Sequence, residues 1–189
     1  MSNPLLEVMN LSQQFRLGGG FWKEVKFSGG RFLRQPKVVH AVNDVSFSIN
    51  KGEVFSIVGE SGCGKSTTAR TVIKLLEPAA GQIKFDGADI TRLDPQQMLP
   101  FRRRMQMVFQ NPYASLNPRH TIKTILTEPM LFHGVATGKK EAEEKALSLL
   151  DKVGLRAEQA DRFPHQFSGG QRQRISVARA LALNPEFII

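Results

Sequence analysis

One cysteine, Cys63, stands in the whole chain, so no internal disulfide can form. That scarcity fits a reducing compartment. Acid is short relative to base: 17 Asp and Glu against 26 Lys and Arg, a formal net charge of +9. Such an excess suits phosphorylated ligands, nucleic acid or an anionic membrane surface, and otherwise spreads over solvated faces. No apolar run approaches the length needed to span a bilayer. The opening residues, "MSNPLLEVMNLS", have neither a basic start nor a long apolar centre, so no signal peptide is expected. No internal repeat is visible. What remains, 41% hydrophobic and 23% charged over 189 residues, suits one globular domain with room for a lobe.

Hydrophobic spacing then orders the chain. "LLEVMNLSQQF" reads as an early strand, and "RLGGGFWKEVKFSGGRFLRQPK" as a long loop or hairpin excursion, given its glycines and Pro36. "VVHAVNDVSFSI" alternates, and Val42, Val45, Phe47 and Ile49 suggest a half-buried strand, with "KGE" turning the chain. "VFSIVG" is a short apolar strand. After it, Ala69, Val72, Ile73 and Leu76 predict a helix over 65–76, ended by Glu77 and Pro78. "GQIKFDG" and "MQMVFQ" read as strands, the second buried. "TIKTILTEPMLF" and "KKEAEEKALSLLDKVGL" read as helices, the latter with Ala142, Ala146, Leu149, Leu150 and Val153 in one stripe. Residues 169–184 form another helix, with Ile175, Ala178, Leu181 and Ala182 on one face, and "EFII" begins a strand. Strands alternating with helices indicate an α/β sheet, with a helix-rich lobe at about 112–167.

"GESGCGKST" places Gly59, Gly64, Lys65 and Ser66 in the phosphate-loop pattern G-x-x-x-x-G-K-S/T. Each residue type has a reason. Glycines let the backbone turn tightly and aim N–H groups inward at phosphate oxygens. Lys65 supplies a cation, the Ser66 hydroxyl ligates Mg²⁺, and the following helix adds its positive end. An apolar strand before and an amphipathic helix after are the context the pattern requires. Glu60, Ser61, Gly62, Cys63 and Thr67 complete the predicted cofactor-binding loop, Cys63 as a small residue that fits.

A second stretch, "FSGGQRQR" at 167–174, offers Ser168 as a helix cap and two glycines that let an anion approach open N–H groups. By itself it is a weak pattern; downstream of a phosphate loop and before an apolar strand it is strong. At this point the chain resembles the ATP-binding cassette (ABC) ATPases. "GESGCGKST" is similar to their Walker A loop. "FSGGQ" is similar to their signature, with Phe167 where Leu is more usual. "VFQNP" is similar to their Q-loop, centred on Gln110. The resemblance runs from about residue 5 to the end. "QMVFQNPYASLNPR" and "PHQFSGGQRQRISVARALALNPEFII" narrow it to the ATP-binding subunits of oligopeptide, dipeptide and nickel-type importers.

The resemblance implies a P-loop core sheet with an antiparallel β subdomain and an inserted helical subdomain. The β subdomain and Walker A core would occupy about 1–111, the helical subdomain about 112–167, and the signature helix with the start of the Walker B strand 168–189. It implies ATP and Mg²⁺ as cofactors. Two ATPase subunits, identical or paralogous, would face head to tail. Ser168, Gly169, Gly170 and Gln171 of each would contact the γ-phosphate held by the other's Walker A loop. Gln110 would touch Mg²⁺ or the attacking water. It implies two integral membrane permease subunits and a separate solute-binding protein as partners, with no nucleic acid expected, and a peripheral place on the cytoplasmic face of the inner membrane. The adenine-stacking residue is open among His40, Phe32 and Phe15. The family's Walker B Asp and Glu and its switch histidine would follow Ile189; His133 and His165 do not match the switch position. The C-terminal part of the core is therefore expected to be missing, and hydrolysis by these residues alone to be crippled, because phosphoryl transfer depends on positioning and electrostatics. Two further readings are a non-transport ABC ATPase acting on nucleic acid and a truncated nucleotide-binding fragment without turnover.

Overall fold

A computed structural model describes residues 3–17, 25–28, 31–34, 37–112 and 115–189. The chain divides into two compact units, Met1–Gln96 and Gln97–Ile189.

The first unit is built on an antiparallel sheet in the order β4-β1-β5-β6. Its strands are β1 (Leu6–Leu17), β4 (Lys37–Ile49), β5 (Ala80–Phe85) and β6 (Ala88–Asp89). A separate hairpin, β2 (Val25–Ser28) with β3 (Arg31–Arg34), lies in the stretch expected to be an excursion. Strict alternation would turn β1 the wrong way at Leu11. Leu6, Val8 and Leu11 are all buried, which requires one extra residue between Val8 and Leu11. The register shifts there against both neighbours. Asn10 takes φ 50° and Asp44, on β4, takes φ 53°. The Asn10 amide nitrogen Nδ2 donates to Asp44 Oδ1 at 2.7 Å, and its backbone N–H to Ser46 Oγ at 2.8 Å. The Asp44 N–H donates to Ser12 Oγ at 3.0 Å. Side chains thus replace the ladder bonds that the irregularity removes. Gly81 (φ 98°) lets β5 approach, since a Cβ there would meet Asn10 O at 2.6 Å. Asp86 and Gly87, both with positive φ, close the β5–β6 hairpin.

Two expectations in this unit are corrected. "VFSIVG" is not a strand: residues 53–60 carry no ladder, and Val54 and Val58 are 92% and 91% exposed. Apolar residues create the tendency, but a strand exists only where a neighbour takes its backbone bonds, and none of the described residues does so here. Phe55 finds its contact in a stacked ring pair with Phe47, centroids 5.0 Å apart. The helix expected over 65–76 is α1 (Lys65–Val72) and ends four residues early. Lys74 takes φ 58° and buries its ammonium, which donates to Thr91 O at 2.7 Å and pairs with Glu77. A buried ammonium needs such partners, and satisfying them turns the backbone out of the helix. The buried face is also more polar than expected: Thr68 and Thr71 are buried, their hydroxyls donating to Gly64 O and Thr67 O at 3.1 and 2.8 Å.

The second unit begins with α2 (Leu99–Arg104), unforeseen from spacing, which runs into β7 (Met105–Gln106). That strand pairs in parallel with β8 (Phe187–Ile188). Both are shorter than "MQMVFQ" and "EFII" suggest. Three longer helices follow expectation: α3 (Ile122–Phe132), α4 (Lys139–Lys152) and α5 (Gly169–Leu181). Their apolar faces share one core, in which Leu126, Ala146, Leu150 and Ile175 are fully buried and Leu149 and Val153 pack at its margin. Helix α5 stops at Leu181, and Asn184 (φ 50°) turns the chain into β8. Among the described residues no helix is long and apolar enough to cross a membrane.

Leu126→Ala should lower stability by about 2–5 kcal/mol in urea titrations, because the buried site cannot collapse fully. Leu147→Ala, on the exposed side of α4, should change it by less than about 0.5 kcal/mol. At the start of α4, Glu141 accepts from the Thr137 N–H and hydroxyl at 2.8 and 2.7 Å and pairs with Lys145 at 2.6 Å. Lys145 and then Thr137 hold its carboxyl down to about 2. A lowered folded-state pKa stabilises above the unfolded value and loses that contribution as pH falls through the folded one. The melting-temperature gap between wild type and Glu141→Gln should therefore be constant near neutrality and close as pH falls from about 4.5 toward about 2. A gap unchanged over that window would show that the carboxylate does not matter.

Candidate functional site

The chain leaves β4 at Ile49 through a turn in which Glu53 accepts from the Asn50 N–H at 2.7 Å. It then runs to a tight loop at 59–64, and α1 starts at Lys65. Gly62 and Gly64 take φ 85° and 96°. At Gly64 the demand is twofold, because a Cβ would also stand 2.2 Å from Ala41 O on β4. Helix α1 has no side-chain cap and no acid in its first turn. Its first N–H groups have no intrahelical acceptors, and no acidic side chain of that turn competes for them.

Lys65 curls back over this loop. Its ammonium donates to Gly59 O at 2.7 Å and Glu60 O at 2.6 Å, and lies 3.5 Å from Cys63 Sγ. An ammonium has three protons, so the loop engages all three. The thiol is the weakest of these acceptors and the first an incoming anion would displace. Ser66 is exposed on the first turn, Thr67 is half-buried, and Ser61, Gly62 and Cys63 face solvent. A cavity of about 560 Å³ opens beside Lys65, lined by Val42, Val45, Phe47, Ile57 and Cys63 among others. The donor set is N–H groups, an ammonium and a hydroxyl able to ligate a hard cation. It fits a polyphosphate with Mg²⁺.

The signature residues sit in the other unit, at the start of α5. Ser168 and Gln171 cap each other: Ser168 Oγ accepts from the Gln171 N–H at 3.3 Å, and Gln171 Oε1 accepts from the Ser168 N–H at 3.0 Å. Gly169 and Gly170 are exposed, and a Cβ on either would meet nothing within 4 Å. Their glycine character is not required by packing; it keeps the helix end bare. Phe167 stands where the resembled signature more usually has Leu. It is buried in the helical core and anchors the cap from below.

Gln110 is exposed on a bend beyond β7. The Val108 N–H donates to Ile189 O at 2.7 Å and the Ile189 N–H to Gln106 O at 2.9 Å, so the approach to Gln110 continues the β7–β8 pairing. The structure thus brings the Walker A residues together in one unit, and places Gln110 and Ser168–Gln171 in the other.

The remaining predicted positions are dispersed. Phe15 and His40 are exposed on β1 and β4; the side chain of Phe32 lies outside the described residues, as do Tyr113 and Ala114 of the Q-loop phrase. His165 stacks on Phe163 at 5.8 Å, and His133 is pushed below its ordinary pKa by burial and then by Arg103. One feature had no signal in the sequence: an open cleft of about 550 Å³ in the second unit, lined by Ser115, His120, Glu128, Phe132, His133 and Arg179 among others. It depends on how α3 packs, which spacing along the chain does not specify.

The family profile described as ABC transporter matches residues 42–189. The oligopeptide transport ATP-binding protein OppF of Bacillus subtilis is 51% identical over 167 residues, covering 88% of this chain and 55% of that protein. The glutathione import ATP-binding protein GsiA of Pectobacterium atrosepticum is 47% identical over 188 residues, covering 100% of this chain and 28% of that protein. The chain thus spans about half or less of the curated relatives it matches. Among solved structures, the dimeric, post-hydrolysis ATP-binding cassette MJ0796 bound to ADP and Pi superposes with a TM-score of 0.81 at 30% identity, covering 97% of this chain and 72% of that one.

Gly64→Ala should destabilise the chain by about 1–3 kcal/mol through its positive φ alone, with the clash against Ala41 O adding to that. Gly170→Ala, where space is open, should change stability little. Urea midpoints for the two variants test the contrast.

Proposed function

Because the chain belongs to the ABC transporter family, we propose that it is the nucleotide-binding portion of an ATP-hydrolysing subunit that energises import of oligopeptides, dipeptides or a related small solute. The observation that carries this is the loop around Lys65: a bare helix start, an ammonium held by displaceable acceptors, and a Gly64 that β4 does not allow to be anything else. The roles that OppF and GsiA are named for, oligopeptide transport and glutathione import, support the solute class.

In this reading Gly59, Glu60, Ser61, Gly62, Cys63 and Gly64 present backbone N–H groups to the phosphates. Lys65 exchanges loop carbonyls for β- and γ-phosphate oxygens, Thr67 supports the first turn, and Ser66 ligates Mg²⁺. Mg²⁺, when bound, neutralises phosphate charge. Ser168, Gly169, Gly170 and Gln171 meet the γ-phosphate of a partner ATPase subunit, for which the open α5 start is suited. Gln110 senses the metal or the attacking water. Nucleotide would then favour a closed pair of subunits because these contacts exist only on closure. Two membrane permease subunits, a solute-binding protein and a peripheral position on the cytoplasmic face of the inner membrane complete the proposal.

Lys65→Ala should weaken MgATP binding about 10- to 100-fold by calorimetry, the range expected for losing a charge-assisted contact. Saturating MgATP should also protect Cys63 from a maleimide, since the thiol lies 3.5 Å from the ammonium that nucleotide recruits. Labelling indifferent to MgATP, with affinity unchanged in Lys65→Ala, would sink the assignment of this loop.

A further inference from the structure

Gln110 hangs between two anchors, both inside the second unit. Before it, the Val108 and Ile189 N–H groups tie the chain to β8, and the Arg104 guanidinium forks onto Glu186 at 2.5 and 2.9 Å. After it, Ser115 is held on α5. Arg179 Nη1 donates to the Ser115 carbonyl at 2.5 Å, and the hydroxyls of Ser115 and Ser176 lie 3.2 Å apart. Ser115 Oγ also donates to Pro112 O at 3.0 Å. A hydroxyl has one proton, so Ser176 must be the donor to Ser115. Ser176 is 5% exposed, which leaves its proton little choice of partner. A planar guanidinium at the other contact restricts rotation more than an aliphatic residue would.

The helix that makes these contacts is the one that begins at Ser168. Arg179 stands about 16 Å along it at roughly 1.5 Å per residue, within one uninterrupted run of helix. We propose that Ser176 and Arg179 are positioning residues that fasten Ser115, five residues beyond Gln110, to the helix that begins at Ser168. The functional meaning rests on the reading of Gln110 and Ser168 as nucleotide contacts. The fastening itself is a property of this unit and is tested separately.

Hydrogen exchange on the 189-residue chain decides it. In Ser176→Ala/Arg179→Gln, the amides of Asn111, Ser115 and Leu116 should exchange at least about tenfold faster, while those of Ile175 through Ala180 keep their rates. Arg179→Lys, which retains a cationic donor, should stay near wild type. If the double variant fails to fold, Arg179→Gln alone, at an exposed position, gives the same reading. Unchanged exchange at Asn111, Ser115 and Leu116, or acceleration spread equally along α5, overturns the proposal. Loss of MgATP binding in Lys65→Ala bears on the proposed function alone and leaves this comparison intact.

Discussion

The absent side chain at Gly64 is the constraint on which the first unit's candidate site depends. Ala41 O stands where its Cβ would be, so β4 and the start of α1 approach more closely than any other residue allows. That approach aims the first turn of α1 at the loop and leaves Lys65 within reach of the Gly59 and Glu60 carbonyls. The positive φ of Gly62 and Gly64 turns the intervening peptides in the same direction. The shape of this candidate site is set by backbone geometry first and side-chain identity second.

The two helix starts that carry the predicted phosphate contacts solve the same problem in opposite ways. Helix α1 has no cap and leaves its first donors available, with an ammonium as their neighbour. Helix α5 caps itself through Ser168 and Gln171, which consumes the N–H of its third residue and leaves Gly169 and Gly170 bare. The self-capped start has its Ser168 and Gln171 N–H groups partnered without a ligand. The uncapped one has its lysine held by groups that a phosphate can replace, so ligand should reorganise the first more than the second.

Periodicity was a reliable guide where one face meets one core. Ala146, Leu149, Leu150 and Val153 pack together as their spacing implies, while Ala142, one turn earlier, joins a second cluster with Met130, Ala136 and Ala182. It misled where a distant partner decides. Residues 54–59 are as apolar as a core strand, yet carry no ladder. The run 65–76 is continuous in spacing, yet Lys74 turns out of it because its ammonium finds Thr91 O and Glu77. The β1 irregularity belongs with these. Asn10 looks like an ordinary polar residue until Asp44 and Ser46 are seen opposite it.

The order of residues alone determined the motifs and the family they mark: a G-x-x-x-x-G-K-S pattern, a serine and two glycines before a helix, and a glutamine after an apolar run. These are local patterns, and each works through the backbone of a few consecutive residues. Only the tertiary structure decided that Phe167 is a core anchor, that β7 takes β8 as its parallel neighbour, and that Ser115 is tied to Ser176 and Arg179. Such contacts join residues tens of positions apart, and their geometry depends on how helices pack and how strands find partners, which no local spacing encodes.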